Sequence, residues 1–326
     1  MSISRIAKLA GVSTATVSKI LNGKDQAISE ATRQKVLEII EKEGYIPNTI
    51  AKSLKVKNTK TIGLILPDVM NPFFSEMARG VEDSADRLGY SVILCNTDNK
   101  AEKENKYFQV LQSKRVDGII ISAVESKNDF FFNNNVTPIV LMDRDIETDK
   151  PVGKIKIDNV RCTYDATTFL ITKGCKNIGF ISSDTLNALS EDRLKGYIKA
   201  LEDNNMPYSN DVVYLKDYSV ETGYFGAISL IEKSKIDGIC CGNDLIAIGA
   251  IKALKEKGIN VPKDVKVIGL DDIFICGYID PPLTTIRQPV YDMGREAVNL
   301  LIDMIEKRES NLLRVLDHKL IERMST

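Results

Sequence analysis

The 326-residue chain contains one histidine, His318. It also lacks a G-x-S-x-G motif, a phosphate-binding P-loop, a G-x-G-x-x-G motif after its first apolar run, and any His/Cys/Asp/Glu cluster with metal-ligand spacing. These arrangements are typical of nucleophilic, nucleotide-dependent and metal-dependent enzymes. We therefore expect a protein that is not an enzyme and that carries neither a cofactor nor a metal.

Long apolar runs are absent as well. No run reaches the roughly 18 residues that a membrane-spanning helix needs, and the N-terminal MSISRIAKLAG has neither the apolar region nor the cleavage site of a signal peptide. The six cysteines include no C-x-x-C pair. We therefore expect a cytoplasmic protein with no membrane partner, whose cysteines are reduced thiols.

The net charge of −1 hides an asymmetry along the chain. Residues 1–60 hold 11 Lys/Arg against 5 Asp/Glu, a net charge of +6, whereas the other 266 residues hold 33 against 40, a net charge of −7. A small basic region on an acidic body is typical of a nucleic-acid-binding protein. A solvated basic face without a partner would give the same count, so charge alone leaves both interpretations open.

The first sixty residues predict three short helices. Gly11 separates the first from the second, Ser13 is placed to cap the second over residues 14–21, and Ser29 opens a third that runs through Glu43. Two short helices joined by a glycine-containing turn, with a third helix to bury them, are typical of a helix-turn-helix.

The second helix of a helix-turn-helix lies in the major groove of DNA. Small side chains let its backbone approach closely, and hydroxyl groups bond to phosphates or base edges. The alternative is an ordinary three-helix bundle whose exposed face happens to be rich in Ser and Thr. On the first interpretation, the predicted DNA contacts in and after this helix are Ser13, Thr14, Ala15, Thr16, Lys19 and Asn22.

The segments ISRIAKLAGVSTATVSKILNG and ISEATRQKVLEIIEKEGYIPNTIAKSLK resemble the DNA-binding headpiece of the lactose-repressor/galactose-repressor (LacI/GalR) family of bacterial regulators. The resemblance extends over essentially the whole chain. It implies that Thr14, Ala15 and Lys19 read bases, although Ala15 departs from the family pattern because its side chain makes no hydrogen bond. It also implies a homodimer that binds a palindromic double-stranded operator, in most family members as a repressor.

Residues 48–60 follow the predicted headpiece, residues 1–47, and are predicted to form a hinge helix and linker. A helix of two turns is marginal by itself in water. The resemblance implies that the hinge helices of two subunits pair in the minor groove, where Leu54 is the apolar wedge that kinks the DNA. Ala51 is small enough for close helix approach, and Lys55 would reach phosphate. The alternative for Leu54 is an ordinary core leucine.

From residue 61 onward, short apolar runs alternate with helical stretches, which predicts an α/β fold with parallel sheets. The runs IGLILPD…VDGIIIS…PIVLMDRD are echoed by IGFISSD…IDGICCG…VIGLDD, with the first two runs 56 positions apart in one half and 60 in the other. The resemblance likewise implies a two-lobed core similar to a periplasmic sugar-binding protein. The core predicted over 61–326 therefore divides into lobes of about 61–157 with 289–317 and about 158–288 with 318–326.

Polar and aromatic side chains follow the carboxyl ends of the predicted strands, where open α/β sheets bind ligands. Phenylalanine rings offer flat faces to a sugar ring, and carboxylates, amides and guanidinium groups offer directional hydrogen bonds. The set is similar to the sugar contacts of ribose-binding proteins and ribose operon repressors, which implies a small neutral sugar effector, D-ribose first. The predicted ligand contacts are Asn71, Phe73, Phe74, Ser122, Asp143, Arg144, Arg193, Tyr218, Asn243, Asp271 and Gln288.

Several alternatives stay open for this set. Strand-end aspartates often cap the next helix, phenylalanines are usually core residues, and Ser122 stands where the transport proteins tend to have asparagine. The effector could instead be a hexose, a sugar phosphate, a purine or a corepressor protein. The strand-end carboxylates could also serve as the acid and base of a sugar-processing enzyme.

Overall fold

The computed structural model describes residues 2–21, 23–44, 59–124, 137–146, 148–184 and 188–326. The chain divides into two compact units, Met1–Thr59 and Lys60–Thr326. Four of the predicted DNA contacts lie outside the described residues, namely Asn22, Ala51, Leu54 and Lys55.

The N-terminal unit contains helices α1 (Ile3–Ala10), α2 (Thr14–Leu21) and α3 (Glu30–Lys42). Gly11 ends α1 with a left-handed backbone, φ 72°, which glycine adopts without steric cost. The Ser13 hydroxyl accepts a hydrogen bond from the Thr16 N–H at 3.0 Å, and Ser29 caps α3 in the same way. The predicted helices are confirmed because their caps are local signals. They share one apolar core, built around Ile6, Ala7, Ala10, Val17, Ile20 and Val36.

The second unit, hereafter the body, alternates strands with helices. Its strands are β1 (Thr61–Leu66), β2 (Ser91–Asn96), β3 (Gly118–Ile121), β4 (Ile139–Met142), β5 (Gly153–Ile157), β6 (Ile178–Ser183), β7 (Val213–Lys216), β8 (Gly238–Cys241), β9 (Lys266–Asp271), β10 (Thr284–Arg287), β11 (Leu313–Leu316) and β12 (Lys319–Ile321). Its α-helices within the described residues are α4 (Pro72–Arg87), α5 (Ala101–Ser113), α6 (Asn159–Thr172), α7 (Ala188–Asp203), α8 (Val220–Lys233), α9 (Asp244–Glu256) and α10 (Val290–Ile305).

The strands form two six-stranded sheets, in the orders β11-β5-β4-β3-β1-β2 and β12-β10-β9-β8-β6-β7. Neighbouring strands are parallel except for β10 and β12, which are antiparallel. Strands β3, β4 and β8 are buried along their whole length, as expected for central strands that helices cover on both faces. The predicted two-lobed α/β fold with parallel sheets is confirmed, with one antiparallel edge strand added.

The chain passes between the two sheets three times: after β5, after β10 and between β11 and β12. The final helix, α10, packs against α4 and against strands of the first sheet. The last two strands then join different sheets, β11 beside β5 and β12 beside β10. Each lobe is therefore built from separate stretches of sequence.

Close packing of α4 on α10 depends on two glycines. A Cβ atom on Gly80 would lie 2.2 Å from the Tyr291 carbonyl oxygen, and one on Gly294 would lie 2.5 Å from the Met77 carbonyl oxygen. No side chain fits at either distance without moving backbone. The two helices therefore approach more closely than larger residues would allow, which fixes the position of the first turn of α4.

All six cysteines lie within the described residues, where each is buried and none forms a disulfide. Burial raises the pKa of the Cys162 thiol to about 12, which keeps it protonated and unreactive at neutral pH. Among the described helices, none combines the length and the apolar character needed to cross a membrane.

Candidate functional site

Helix α2 has one buried and one exposed face. Val17 and Ile20 are buried in the core of the N-terminal unit, whereas Thr14, Ala15 and Lys19 are exposed. The exposed face carries only small side chains before the lysine, so the helix backbone is open to a close-approaching partner.

The hydroxyl groups of Ser13 and Thr16 already make hydrogen bonds at the start of α2. The two hydroxyl oxygens lie 2.9 Å apart, and Ser13 also caps the helix. Ser13 is exposed and Thr16 is half-buried. Ser13 therefore has a structural role as the cap of α2, in addition to its predicted contact with DNA.

A cavity in the body lies where strand ends of the two lobes come together. It holds about 280 Å³ of empty space, including the part open to solvent. The predicted ligand contacts other than Ser122 and Gln288 all line it, and one residue not predicted, Leu189, lines it too. The lining residues are Asn71, Phe73, Phe74, Asp143, Arg144, Leu189, Arg193, Tyr218, Asn243 and Asp271.

The first lobe contributes an aromatic corner. The Asn71 side chain caps α4 by accepting a hydrogen bond from the Phe73 N–H at 3.1 Å. The rings of Phe73 and Phe74 meet edge to face, with centroids 5.1 Å apart. The guanidinium carbon of Arg144 lies 5.4 Å from the centre of the Phe74 ring, so the aromatic corner also supports a cation.

Asp143 and Arg144 follow β4 and are 8 % and 9 % exposed. Asp143 holds a left-handed backbone, φ 64°, a strain typical of binding sites. Arg144 donates one hydrogen bond to the Asn99 side chain at 3.3 Å. Among the described residues, Asp143 Oδ1 and Arg144 Nε have no hydrogen-bond partner. Each is a buried polar atom at the cavity wall that a ligand would satisfy.

The second lobe contributes Arg193, which projects from α7 and is 4 % exposed. Its guanidinium donates to the Asn159 side-chain oxygen at 3.0 Å and to the Gly242 carbonyl at 2.7 Å. The guanidinium carbon lies 5.4 Å from the centre of the Tyr218 ring, and the Tyr218 and Ser190 hydroxyl oxygens are 3.0 Å apart. Each lobe thus pairs one arginine with one aromatic ring.

Asp271 ends β9 and faces the cavity with a left-handed backbone, φ 128°. Gln288 donates a hydrogen bond to Asp271 Oδ1 at 2.6 Å, so it lies behind the carboxylate. Ser122 is fully buried just past β3. Asn243 lines the cavity while its side chain caps α9 through the Ile246 N–H at 2.9 Å. Ser122 and Gln288 are not among the residues that line the cavity, and Ser122 Oγ and Gln288 Oε1 are buried without a hydrogen-bond partner.

Burial and charge act together on the cavity carboxyls. Burial raises the pKa of Asp143, against which Arg193 and Arg144 act. Burial raises the pKa of Asp271 well above its ordinary value, and Asp244 and Asp143 add to the rise, whereas Arg193 and Gln288 oppose it. Both carboxyls therefore gain from any ligand that donates hydrogen bonds to their charged forms.

The two arginines respond differently to burial. Burial lowers the pKa of Arg144, partly offset by Asp143 and Tyr218. For Arg193 burial acts in the same direction, but Tyr218, Asp271 and Asp143 outweigh it and raise the pKa above its ordinary value. Two carboxyls and two guanidinium groups thus face one cavity, with no net charge when all four are ionised.

Asp244 is fully buried at the start of α9, near Asp271. Its carboxylate accepts hydrogen bonds from the Thr285 hydroxyl at 2.6 Å and from the Ile273 N–H at 2.9 Å. Burial raises the pKa of Asp244 to about 6, compared with about 3.9 in an unfolded chain. Asp244 follows the predicted contact Asn243 in the sequence, but it was not itself predicted as a functional residue.

Because the pKa of Asp244 is raised in the folded state, the free energy of unfolding should fall as the pH rises. The folded state holds the proton more tightly than the unfolded state, so this contribution to stability is present at low pH and is lost as pH rises from about 4 to about 6. Between pH 4.5 and 7 the parent should lose about 2 kcal/mol more free energy of unfolding than Asp244→Asn. Urea unfolding of both proteins at the two pH values measures this, and equal losses would show that folding does not raise the pKa of Asp244 into this range.

A second depression adjoins the cavity and shares Asp143 and Leu189 with it. It holds about 740 Å³ of empty space, including the part open to solvent. Its charged lining is acidic apart from Lys156, with Asp145, Asp158 and Asp192 added to Asp143. The negative charge of this lining therefore disfavours a bound anion in the depression. Elsewhere among the described residues, no group of three or more His, Cys, Asp or Glu side chains is placed to hold a metal ion.

Sequence reasoning missed the residues that hold the lining in place. Asn159 and Asn99 each accept a hydrogen bond from a cavity arginine, but Asn159 is the first residue of α6 and Asn99 lies in a turn, and neither carries a pattern of its own. Leu189 lies in the first turn of α7 and is apolar, so a search for polar groups at strand ends passes over it.

Comparison with known proteins identifies a family for the N-terminal unit and a domain type for the body. Residues 2–48 match the family described as bacterial regulatory proteins, lacI family, and residues 167–326 match the periplasmic binding protein-like domain. The chain is 41 % identical over 330 residues to the HTH-type transcriptional regulator RegA of Clostridium saccharobutylicum, covering 100 % of this chain and 99 % of that protein.

Two solved structures are similar over the body or the whole chain. A LacI family transcriptional regulator from Enterococcus faecium with bound ribose is 30 % identical, with a TM-score of 0.75 over 82 % of this chain and 98 % of that one. The Lac repressor bound to ONPG in its repressed state is 25 % identical, with a TM-score of 0.90 over 100 % of this chain and 99 % of that one. With the relative above, these findings establish that the chain belongs to the lacI family of bacterial regulatory proteins and is a DNA-binding transcriptional regulator.

Proposed function

We propose that this regulator is controlled by a small neutral sugar, D-ribose first, bound in the cavity between the two lobes of the body. The observation that carries the proposal is the pair of unpartnered buried atoms, Asp143 Oδ1 and Arg144 Nε, set between aromatic rings. Sugar hydroxyls both donate and accept hydrogen bonds, so they satisfy a carboxylate and a guanidinium at once. The ribose bound in the similar Enterococcus faecium regulator supports the choice of first candidate.

Charge favours a neutral ligand over a phosphorylated one. The cavity holds as many carboxyls as guanidinium groups. Arg193 favours the charged form of Asp143 and of Asp271, and Arg144 favours that of Asp143. The adjoining depression adds Asp145, Asp158 and Asp192 against Lys156. A sugar phosphate would meet net negative charge at the cavity edge.

The aromatic corner of the cavity suits a single sugar ring. The edge-to-face Phe73 and Phe74 rings provide an apolar corner against the C–H face of one sugar ring.

Calorimetry with the purified full chain tests the effector. D-Ribose is expected to bind, and at about 100 times its Kd it should stabilise the folded protein by about 2.7 kcal/mol. Hexoses, sugar phosphates and purines are compared under the same conditions. Binding of another neutral monosaccharide in place of ribose would contradict the pentose assignment alone, whereas binding of only phosphates or purines would contradict the neutral-sugar proposal.

The exposed face of α2 is our proposed reading surface for DNA. Thr14 and Ala15 are small and exposed, and Lys19 stands one turn further along the helix. A homodimer would place two such helices on the half-sites of a palindromic operator, with the hinge residues Ala51, Leu54 and Lys55 proposed as contacts in the minor groove. Because it acts on chromosomal DNA, we place the protein in the cytoplasm.

Substitution of Lys19 tests this surface, using an operator selected from a random duplex library. Lys19→Ala is expected to weaken binding at least about tenfold, the scale of one lost base or phosphate contact. Lys42→Ala, at the exposed end of α3, is the matched control and should bind like the parent. Equal weakening by both variants would contradict the assignment of α2.

The parent's affinity for the operator should also fall at least about a hundredfold between 50 and 200 mM salt, because bound cationic side chains release counterions from phosphates.

A further inference from the structure

Leu189 is the apolar member of the boundary between the cavity and the adjoining depression. It lies in the first turn of α7, is 7 % exposed and lines both spaces. The other residue common to both linings is Asp143, whose Oδ1 has no hydrogen-bond partner. A ligand that occupied both spaces would therefore lie against these two side chains.

The space beyond Leu189 is suited to a second ring. It is larger than the cavity, about 740 Å³ against about 280 Å³. Its wall includes groups that bond to hydroxyls or amines, and these are Asp145, Lys156, Asp158, Asn159 and Asp192. The depression is therefore chemically able to hold the extension of a neutral ligand, and the obstacle lies at its border.

We propose that Leu189 sets the length of the ligand by excluding any second ring attached to the sugar in the cavity. A leucine at this border blocks the passage by volume and offers a hydroxyl group no hydrogen bond, so an extended ligand loses contacts with water and gains none. This inference rests on the proposed function, because it concerns the selectivity of the same cavity.

Calorimetry on four full-length proteins tests the proposal, with D-ribose and three neutral two-ring ligands: adenosine, cellobiose and maltose. The parent is expected to bind D-ribose and none of the two-ring ligands. Leu189→Ala should bind at least one of them tenfold or more tightly than the parent does. Leu189→Met, which conserves volume, should behave like the parent, as should Val315→Ala at the half-exposed far wall of the depression.

The outcomes separate the two proposals. Binding of a two-ring ligand by the parent as tightly as the monosaccharide overturns the role of Leu189 alone. So does a Leu189→Ala protein that binds D-ribose but gains no two-ring ligand. A parent that binds no neutral monosaccharide overturns the proposed function and this inference together.

A second substitution covers the case in which Leu189→Ala does not fold. Leu189→Phe adds volume at the same border and should weaken D-ribose binding tenfold or more, because the larger side chain must enter the cavity. Unchanged D-ribose affinity in Leu189→Phe would show that this side chain does not bound the ligand.

Discussion

Replacement of Arg193 by methionine is expected to lower the free energy of unfolding of the body by about 3–5 kcal/mol, the usual cost of removing one partner from a buried set of charges. Arg193 is 4 % exposed and bonds to Asn159 and to the Gly242 carbonyl. Without it, two acceptors lose their donor, and Asp143 and Asp271 lose a cation that acts on both. Methionine fills most of the volume, so the loss reports polar contacts rather than a cavity.

Urea unfolding measures this effect, and Arg161→Met is the matched control. Arg161 is on α6, where its mostly exposed side chain pairs with Asp165 at 2.8 Å. Exposed pairs of this kind contribute at most about 1 kcal/mol. Similar losses in both variants would contradict the view that the cavity charges depend on Arg193. D-Ribose binding should also disappear in Arg193→Met and persist in Arg161→Met.

The second large effect is expected at Asp271. Asp271→Asn should weaken D-ribose binding at least about tenfold, because the amide replaces one acceptor oxygen with an NH₂ group and cannot ionise, whereas Arg193 and Gln288 favour the charged form of the carboxyl. Asparagine keeps the size of the side chain and tolerates the left-handed backbone at this position. Affinity for operator DNA without sugar should not change, since Asp271 lies in the cavity of the body.

The neighbouring carboxylate provides the control for Asp271. Asp272 is bound by Arg287 at 2.6 Å and by Arg323 at 2.7 Å, and it does not line the cavity. Asp272→Asn should therefore lower stability and leave D-ribose affinity unchanged. An Asp271→Asn protein that binds D-ribose like the parent would remove Asp271 from the binding site.

Local signals in the sequence predicted the headpiece and the central strands. Caps at Ser13 and Ser29 and the turn at Gly11 identify helices because their hydrogen bonds are made within a few residues. Central strands such as β3 and β8 are buried on both faces, so they read as uninterrupted apolar runs.

The strands that the sequence did not predict lack such runs. β5 alternates buried and half-buried residues, β7 is an edge strand with two exposed positions, and β12 has three residues. Their place in a sheet depends on partners far away in the chain, such as β12 beside β10. The sequence of such a short segment holds no pattern that identifies it as a strand, because its hydrogen-bond partner lies far away in the chain.

The structure brings most of the predicted ligand contacts to one cavity, and their role as ligand contacts stays a prediction. The sequence places Asn71, Asp143 and Asp271 at strand ends, and the structure brings all three to one cavity. The sequence does not show whether a predicted contact such as Gln288 lines the cavity or bonds to a residue that does. Depth is set by side-chain hydrogen bonds such as that from Gln288 to Asp271, and these form only in the folded protein.

The division of the last two strands between the sheets also sets an order of events during synthesis. β11 completes one sheet and β12 the other, and both follow every other described strand in the sequence. Of the described strands, these two are therefore translated after the other ten, at about 5–20 residues per second. Neither sheet can hold all six of its strands until the central strands of both lobes have been made.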